Sequence, residues 1–335
     1  MAYTIWVTAA CNLQCKYCYE GIDKAQQNMT EQTARQVIKY IKRDFNIGNK
    51  ELIINFHGGE PFLNFKIIRF LVLELKKYYQ DKCSLCFTVT TNATLLDEEI
   101  IQFIKNEDFG ISVSIDGEKE THDTMRIYAN GSGSHELVMH NSKILLQDNP
   151  LLRISMIYTP ETVGSVSRNV NYLLQEGFRC IAASLDFYSP AWSKKHVETL
   201  EKEIRKVKEL LSYYTDARVS VCEKLDYCGK ICKGGNHNKH IYYDGEIYPC
   251  VATGGKTDFR IGDIWHGVNE ERRLELLSHT CNENVECKDC DLNGYCNTAR
   301  CILINKIVTG EYTEPIPIEC HYTRLLYKLW GISKV

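Results

Sequence analysis

The sequence lacks the features that would place a chain in a membrane, on a nucleic acid or outside the cell. No apolar run is long enough to span a bilayer. There is no long basic run and the formal net charge is -3, so an electrostatic footprint for nucleic acid or an anionic membrane is missing. Met1 to Ala10 has no charged n-region and leads straight into a cysteine motif, which excludes a signal peptide there. The expectation is a soluble, cytoplasmic protein with neither nucleic acid nor membrane as a partner. With 44% hydrophobic and 25% charged residues over 335 positions, disorder is not indicated, and the length suits one large domain plus a smaller one.

What the sequence has in quantity is cysteine. Sixteen Cys in a reducing compartment argue for metal ligands over disulfides, and twelve of them fall in two regions, 11–18 and 222–301. Cys11-Asn12-Leu13-Gln14-Cys15-Lys16-Tyr17-Cys18 spaces its thiols by three and then two residues. Such a set can wrap one face of an iron-sulfur cube and leave the fourth iron open to a substrate or cofactor. Half of a zinc site that borrows a distant ligand is the other use of such thiols.

Hydrophobic periodicity alternates between strand and helix along the first two thirds of the chain. Strands are expected at Thr4 to Ala9, Leu52 to His57, Phe87 to Thr91, Ile111 to Ile115, Ile154 to Thr159 and Ile181 to Phe187, each followed by a helix. Thr30 is the expected N-cap of the first helix. Six such units imply a parallel sheet with right-handed crossovers, that is, an α/β fold of the partial (β/α)6 barrel type. Functional residues then belong in the loops after the strands. Cys11, Gly58-Gly59-Glu60-Pro61, Asn92 and Asp116-Gly117 all follow strands in this way. Cys83, Cys86 and Cys180 lie beside strands in apolar surroundings and are expected to pack in the core.

The Cys11/Cys15/Cys18 spacing, with Tyr17 just before the third Cys, resembles the signature of radical S-adenosylmethionine (SAM) enzymes. The resemblance implies that the open iron binds the amino and carboxylate groups of SAM and that the Tyr17 ring lies near the adenine. Gly58-Gly59-Glu60 looks like the family's GGE motif, which holds the amino group of the SAM methionine. Thr90-Thr91-Asn92-Ala93-Thr94 resembles its TNGT segment, with Ala93 replacing the usual Gly, and makes Asn92 a SAM contact. Ser112 to Gly117 is similar to its SxDG segment, which puts Ser114 and Asp116 near the ribose, and Arg126 becomes a forked partner for the methionine carboxylate.

At about Ala217 the texture changes, which sets an expected boundary between domains 1–216 and 217–335. Cysteines follow at 222, 228, 232, 250, 281, 287, 290, 296, 301 and 320, among short β-like runs and turns, as in a small core stapled by metals. Cys232 to Cys250, with Asp244-Gly245 as a turn, and the run Cys287, Cys290, Cys296, Cys301, Cys320 resemble the SPASM domain, a small Cys-rich α+β unit with two auxiliary [4Fe-4S] clusters. Four residues separate Cys296 from Cys301 where the common pattern has three. The resemblance assigns Cys232, Cys250 and Cys301 to the first auxiliary cluster, with Cys228 or Cys222 as a fourth ligand and Cys228 preferred. It assigns Cys287, Cys290, Cys296 and Cys320 to the second, for which zinc is the alternative occupant.

Three [4Fe-4S] clusters and SAM are thus the expected cofactors. The expected function is maturation of a ribosomally made, Cys-rich peptide through a 5′-deoxyadenosyl radical, with a thioether crosslink as the leading product, an oxidoreductase-type reaction. Expected partners are a peptide with a leader, an electron donor such as flavodoxin or ferredoxin, and a separate leader-recognition protein, since only about ten residues precede Cys11. One alternative is an anaerobic sulfatase-maturating enzyme, which places an Asp base after the Cys of its Tyr-Pro-Cys segment; here Val251 follows Cys250. Another is a non-catalytic iron-sulfur electron-transfer protein, which would leave the Gly58–Glu60, Ser114–Asp116 and Arg126 loops with no ligand to serve.

Overall fold

A computed structural model describes residues 1–21, 24–229, 231–279 and 283–333. Its strands, in chain order, are β1 (Ala2–Thr8), β2 (Glu51–Gly58), β3 (Ser84–Thr91), β4 (Gly110–Ser114), β5 (Arg153–Tyr158), β6 (Cys180–Leu185), β7 (Arg218–Val219), β8 (Asn238–Ile241), β9 (Glu246–Tyr248), β10 (Gly262–Asp263) and β11 (Gly267–Val268). Each of β1 to β6 is followed by a helix, as the periodicity requires, and the α/β class is the one expected. Thr30 caps the helix Glu31–Asp44 by accepting from the Thr33 N–H. No described helix is long and apolar enough to cross a membrane.

The chain divides into two compact units. The first comprises residues 1–14, 20–112 and 233–276. Its strands run in the order β11-β10-β9-β8-β1-β2-β3. β2 lies parallel to both β1 and β3. Leu52, Ile54 and Phe56 of β2 are buried, whereas Ile53, Asn55 and His57 on the opposite face are only half-buried. That second face is polar, because Asn55 accepts from Thr88 Oγ1 at 3.0 Å and donates to Thr4 Oγ1 at 3.5 Å. Cys86 shares the face of Thr88 and is exposed, so it is not the core residue expected; the strand runs three residues further toward its N-terminus than its apolar run does. Cys83 and Cys180 are partly buried.

β8 comes from the Cys-rich segment, yet it pairs in parallel with β1, Ala2 opposite Asn238 and Ile5 opposite Ile241. An ion pair sustains this joint. Lys239 of β8 contacts Asp44 at 2.6 Å, with little of either side chain exposed, and the Tyr3 hydroxyl donates to the same carboxylate at 2.5 Å. Helix end, β1 and β8 thus share one carboxylate.

The second unit comprises residues 15–19, 113–232 and 277–335. β6 lies parallel to both β5 and β7. The C-terminal helix Pro317–Trp330 is tied to the helix Lys194–Leu210 and its sequel by Lys328 to Glu201 at 2.8 Å and by the Trp330 indole N–H to the Val221 carbonyl at 2.8 Å.

Asp44→Ala should cost about 3–5 kcal/mol, because it leaves the Lys239 ammonium buried without its partner. Anaerobic thermal denaturation of the holoprotein checks this, and an unchanged midpoint would show that water reaches the pair.

Candidate iron-sulfur and cofactor site

The residues expected to meet the cofactor fall into two groups, one in each unit. In the first unit, Gly58 takes φ +149, and a Cβ there would lie 2.3 Å from the Thr8 carbonyl oxygen. A Cβ on Gly59 would lie 2.4 Å from the Ala10 carbonyl oxygen and 2.8 Å from Cys11 Cβ. The two glycines therefore let this loop lie flat against the start of the Cys motif, and the Glu60 N–H donates to the Ala10 carbonyl at 2.9 Å.

Glu60 is 1% exposed. Its carboxylate accepts from the Phe62 N–H at 3.2 Å, from Thr91 Oγ1 at 2.8 Å and from the Asn92 N–H at 2.8 Å. Burial pushes its pKa up to about 7, against the opposing pull of these donors. Asn92 Nδ2 then donates to Asn12 Oδ1 at 2.9 Å, and Asn12 Nδ2 donates to Thr94 Oγ1 at 2.7 Å. The GGE-like and TNGT-like segments are thus one network with the residue after Cys11. Asn12 was not singled out in the sequence, where nothing but its place beside Cys11 points to it.

In the second unit, Tyr17, Asp116 and Arg126 come together. The Tyr17 hydroxyl donates to Asp116 Oδ2 at 2.5 Å, Arg126 Nε donates to the same oxygen at 2.9 Å, and Arg126 Nη2 donates to Asp116 Oδ1 at 3.2 Å. The Arg126 guanidinium lies 5.3 Å from the centre of the Tyr17 ring. Burial raises the Tyr17 pKa well above its ordinary value, so the phenol stays protonated and donates. Burial disfavours the Arg126 charge, but Asp116 more than offsets it and the net direction is upward. Ser114 ends β4 two residues before Asp116. The Lys16 N–H donates to the Met125 carbonyl at 3.0 Å, and the Cys18 N–H closes a turn on the Cys15 carbonyl at 3.1 Å. A cavity beside Cys18 and Tyr17 is also lined by Thr159, Glu161 and Asp186, at the C-terminal ends of β5 and β6. These two carboxylates were not anticipated, although their place after strands is the signal that would have found them.

Of the Cys motif, Cys11 belongs to the first unit and Cys15 and Cys18 to the second. Farther along, Cys287, Cys290, Cys296 and Cys320 line one cavity of the second unit, the four thiols expected to share the second auxiliary cluster. Arg324 hydrogen-bonds Cys320, opposing the upward push of burial on that thiol. Among the described residues no three His, Cys, Asp or Glu side chains converge on one point. Four cysteines lining one cavity are the donor set of a [4Fe-4S] cluster.

Arg300 Nη1 donates to the Cys228 carbonyl at 2.8 Å and its Nη2 lies 4.0 Å from Cys301 Sγ, and Cys301, Cys228 and Cys232 all favour its charge. Cys222 lies elsewhere in the unit: its Sγ faces the Ile204 carbonyl at 3.9 Å, and burial pushes its pKa up to about 12. Burial raises the Cys228 pKa as well, so position is what separates the two: the Arg300 hydrogen bond to the Cys228 carbonyl joins residue 228, and not Cys222, to the Cys301 segment. Cys250 belongs to the first unit, and Cys281 lies outside the described residues.

Glu60→Gln should weaken SAM binding without changing iron content, since an amide offers one acceptor oxygen where the carboxylate offers two. Because burial raises the Glu60 pKa, its contribution to stability is present below about pH 4.5 and is lost as pH rises through about 7, and the variant should lack that one-proton slope. Calorimetric SAM titration and urea melts across this range are the checks; unaltered affinity and slope would remove Glu60 from the site.

Comparison with known proteins bears on these groupings. Residues 1–139 match a family described as a 4Fe-4S single cluster domain. An uncharacterized protein of Methanocaldococcus jannaschii, MJ0907, is 34% identical over 206 residues, 62% of this chain and 68% of that one. A cysteine-type anaerobic sulfatase-maturating enzyme of Clostridium novyi is 24% identical over 86% of this chain and 84% of its own length. The radical SAM cyclopropyl synthase TigE of Paramaledivibacter caminithermalis is 23% identical over 88% of this chain and 66% of its own. The solved structure of native anSMEcpe with bound AdoMet has the same fold, with a TM-score of 0.80 at 17% identity over 98% of this chain and 97% of that one. The spacing of the first three thiols, the gathering of the last four and these relatives agree: the chain is a homologue of radical SAM enzymes of the SPASM type.

Proposed function

We propose that the chain modifies a residue of a peptide or protein substrate and that its product is a thioether between a Cys sulfur and a carbon. When bound, the Cys11/Cys15/Cys18 cluster and SAM supply a 5′-deoxyadenosyl radical that removes a hydrogen from substrate carbon. The chain's own part is to hold SAM and to carry away the electron left when the product closes. Gly58, Gly59, Glu60 and Asn92 offer a backbone cradle. Tyr17 and Arg126 are pre-oriented by Asp116, and Ser114 completes that strand end. The observation that carries the reading is the cavity lined by Cys287, Cys290, Cys296 and Cys320, which fits an electron-accepting cluster closed by four protein ligands. Domains at 1–216 and 217–335 are part of this proposal, as are a flavodoxin- or ferredoxin-like donor and a separate leader-binding protein.

Formylglycine formation is the second reading, favoured by the Clostridium novyi relative, whose length is matched almost throughout. Against it stands Val251, partly exposed directly after Cys250 and unable to take a proton from a thiol or hydroxyl during oxidation. The two products separate by mass spectrometry of a Cys-rich peptide incubated anaerobically with enzyme, SAM and dithionite. A thioether loses two hydrogens and its thiol no longer alkylates, whereas formylglycine loses sulfur and gains a carbonyl that a hydrazide captures.

The reconstituted protein should bind about twelve iron atoms, and Cys11→Ala, Cys15→Ala and Cys18→Ala together should remove about four of them. Formation of 5′-deoxyadenosine should cease in that variant. Continued SAM cleavage would end the radical SAM reading, and an electron-transfer role would be favoured if the wild-type protein cleaved none.

A further inference from the structure

We propose that Arg300 is a positioning residue that raises the reduction potential of the first auxiliary cluster by holding one positive charge among its thiolates; the proposal rests on reading Cys228, Cys232 and Cys301 as ligands of that cluster. The short helix Asn297–Arg300 begins directly after Cys296 and ends directly before Cys301. The Cys301 N–H donates to the Asn297 carbonyl at 2.7 Å, and the Arg300 side chain is turned back toward residue 228. Its Nη1 donates to the Cys228 carbonyl at 2.8 Å, and its Nη2 reaches Asn297 Oδ1 at 3.3 Å and lies 4.0 Å from Cys301 Sγ, the outer limit for an N–H···S contact. The planar fork of arginine is what lets one group meet a carbonyl and a sulfur together.

Among the described residues Arg300 makes no ion pair with a carboxylate. It is half-buried, and Cys301, Cys228 and Cys232 are the residues that favour its charge. A cation with no carboxylate partner beside three thiols has little to do in the absence of a cluster.

The physical consequence follows from charge. One-electron reduction adds a negative charge to a cluster, and a fixed cation nearby stabilises the reduced form more than the oxidised one. Arg stays protonated in both states, so no proton accompanies the electron at this residue. Half-burial limits the screening that makes exposed charges ineffective.

The test is an anaerobic, EPR-monitored dithionite titration of the reconstituted full chain, in which dithionite supplies the electron. The relevant cluster is the one whose signal changes in Cys228→Ala. Arg300→Gln should make its reduction harder by about tenfold in the equilibrium constant, about 59 mV for one electron, with the other two clusters unmoved and about twelve irons retained. Arg300→Lys, which keeps the charge and loses the fork, should fall between the two, and whichever variant keeps its iron is the one read. Unchanged potentials at full iron content overturn the proposal, and loss of about four irons in both variants overturns it in favour of an assembly role. Full iron content and wild-type signals in Cys228→Ala, Cys232→Ala and Cys301→Ala would instead remove the ligand reading beneath it.

Discussion

The second unit depends on a carboxylate taken wholly out of water. Asp116 is 0% exposed, and a bare carboxylate there would cost several kcal/mol. Four donors meet it: the Tyr17 hydroxyl, Arg126 Nε and Nη2, and the Ile157 N–H at 2.9 Å. They come from three stretches, so one group at the end of β4 holds the Cys15–Tyr19 loop, the strand β5 and the end of helix Lys119–Met125. His122 completes the arrangement. Burial keeps it neutral, and so its Nδ1 can accept from the Asp116 N–H at 3.3 Å while Nε2 meets Ser134 Oγ at 3.0 Å. Removing Arg126 would leave a buried charge uncompensated, which is why its loss should disturb the Cys loop before any ligand is considered.

Glu60 plays the matching part in the first unit by different means. Its hydrogen-bond donors are neutral N–H and O–H groups, so its charge is balanced by dipoles where that of Asp116 is balanced by a guanidinium. The upward shift of Glu60 follows from this difference, since dipoles offset less of the desolvation than a full cation does. The Asn92 loop consequently rests on a carboxyl whose pKa burial pushes up to about 7, whereas the Tyr17 loop rests on an ion pair.

Much of this was legible in the sequence because strand-end position and glycine carry definite meaning. The periodicity located all six β/α units, and Thr30 and the Gly58-Gly59 pair behave as their chemistry requires. Three things were not legible. β8 reads as a fragment of a Cys-rich segment, and only the Lys239–Asp44 pair, 195 residues apart, shows why it joins β1. Cys86 looks apolar in its local run, but alternation puts it on the face of Thr88 and Thr90, away from Phe87 and Val89. Spacing preferred Cys228 to Cys222 as a ligand, but it could not show that Arg300 ties residue 228 to the Cys301 segment.

Those surroundings extend to the second thiol group. A small segment that gathers seven thiolates must oppose their mutual repulsion, and each gathering has an arginine within reach, Arg300 for Cys228, Cys232 and Cys301 and Arg324 for Cys320. The two cations are not equivalent. Arg300 is half-buried and anchored to a backbone carbonyl at 2.8 Å, whereas Arg324 is exposed on the helix Pro317–Trp330. Water and salt screen an exposed charge far more than a half-buried one, so equal formal charges exert unequal fields. The first group therefore has its cation in the less screened position.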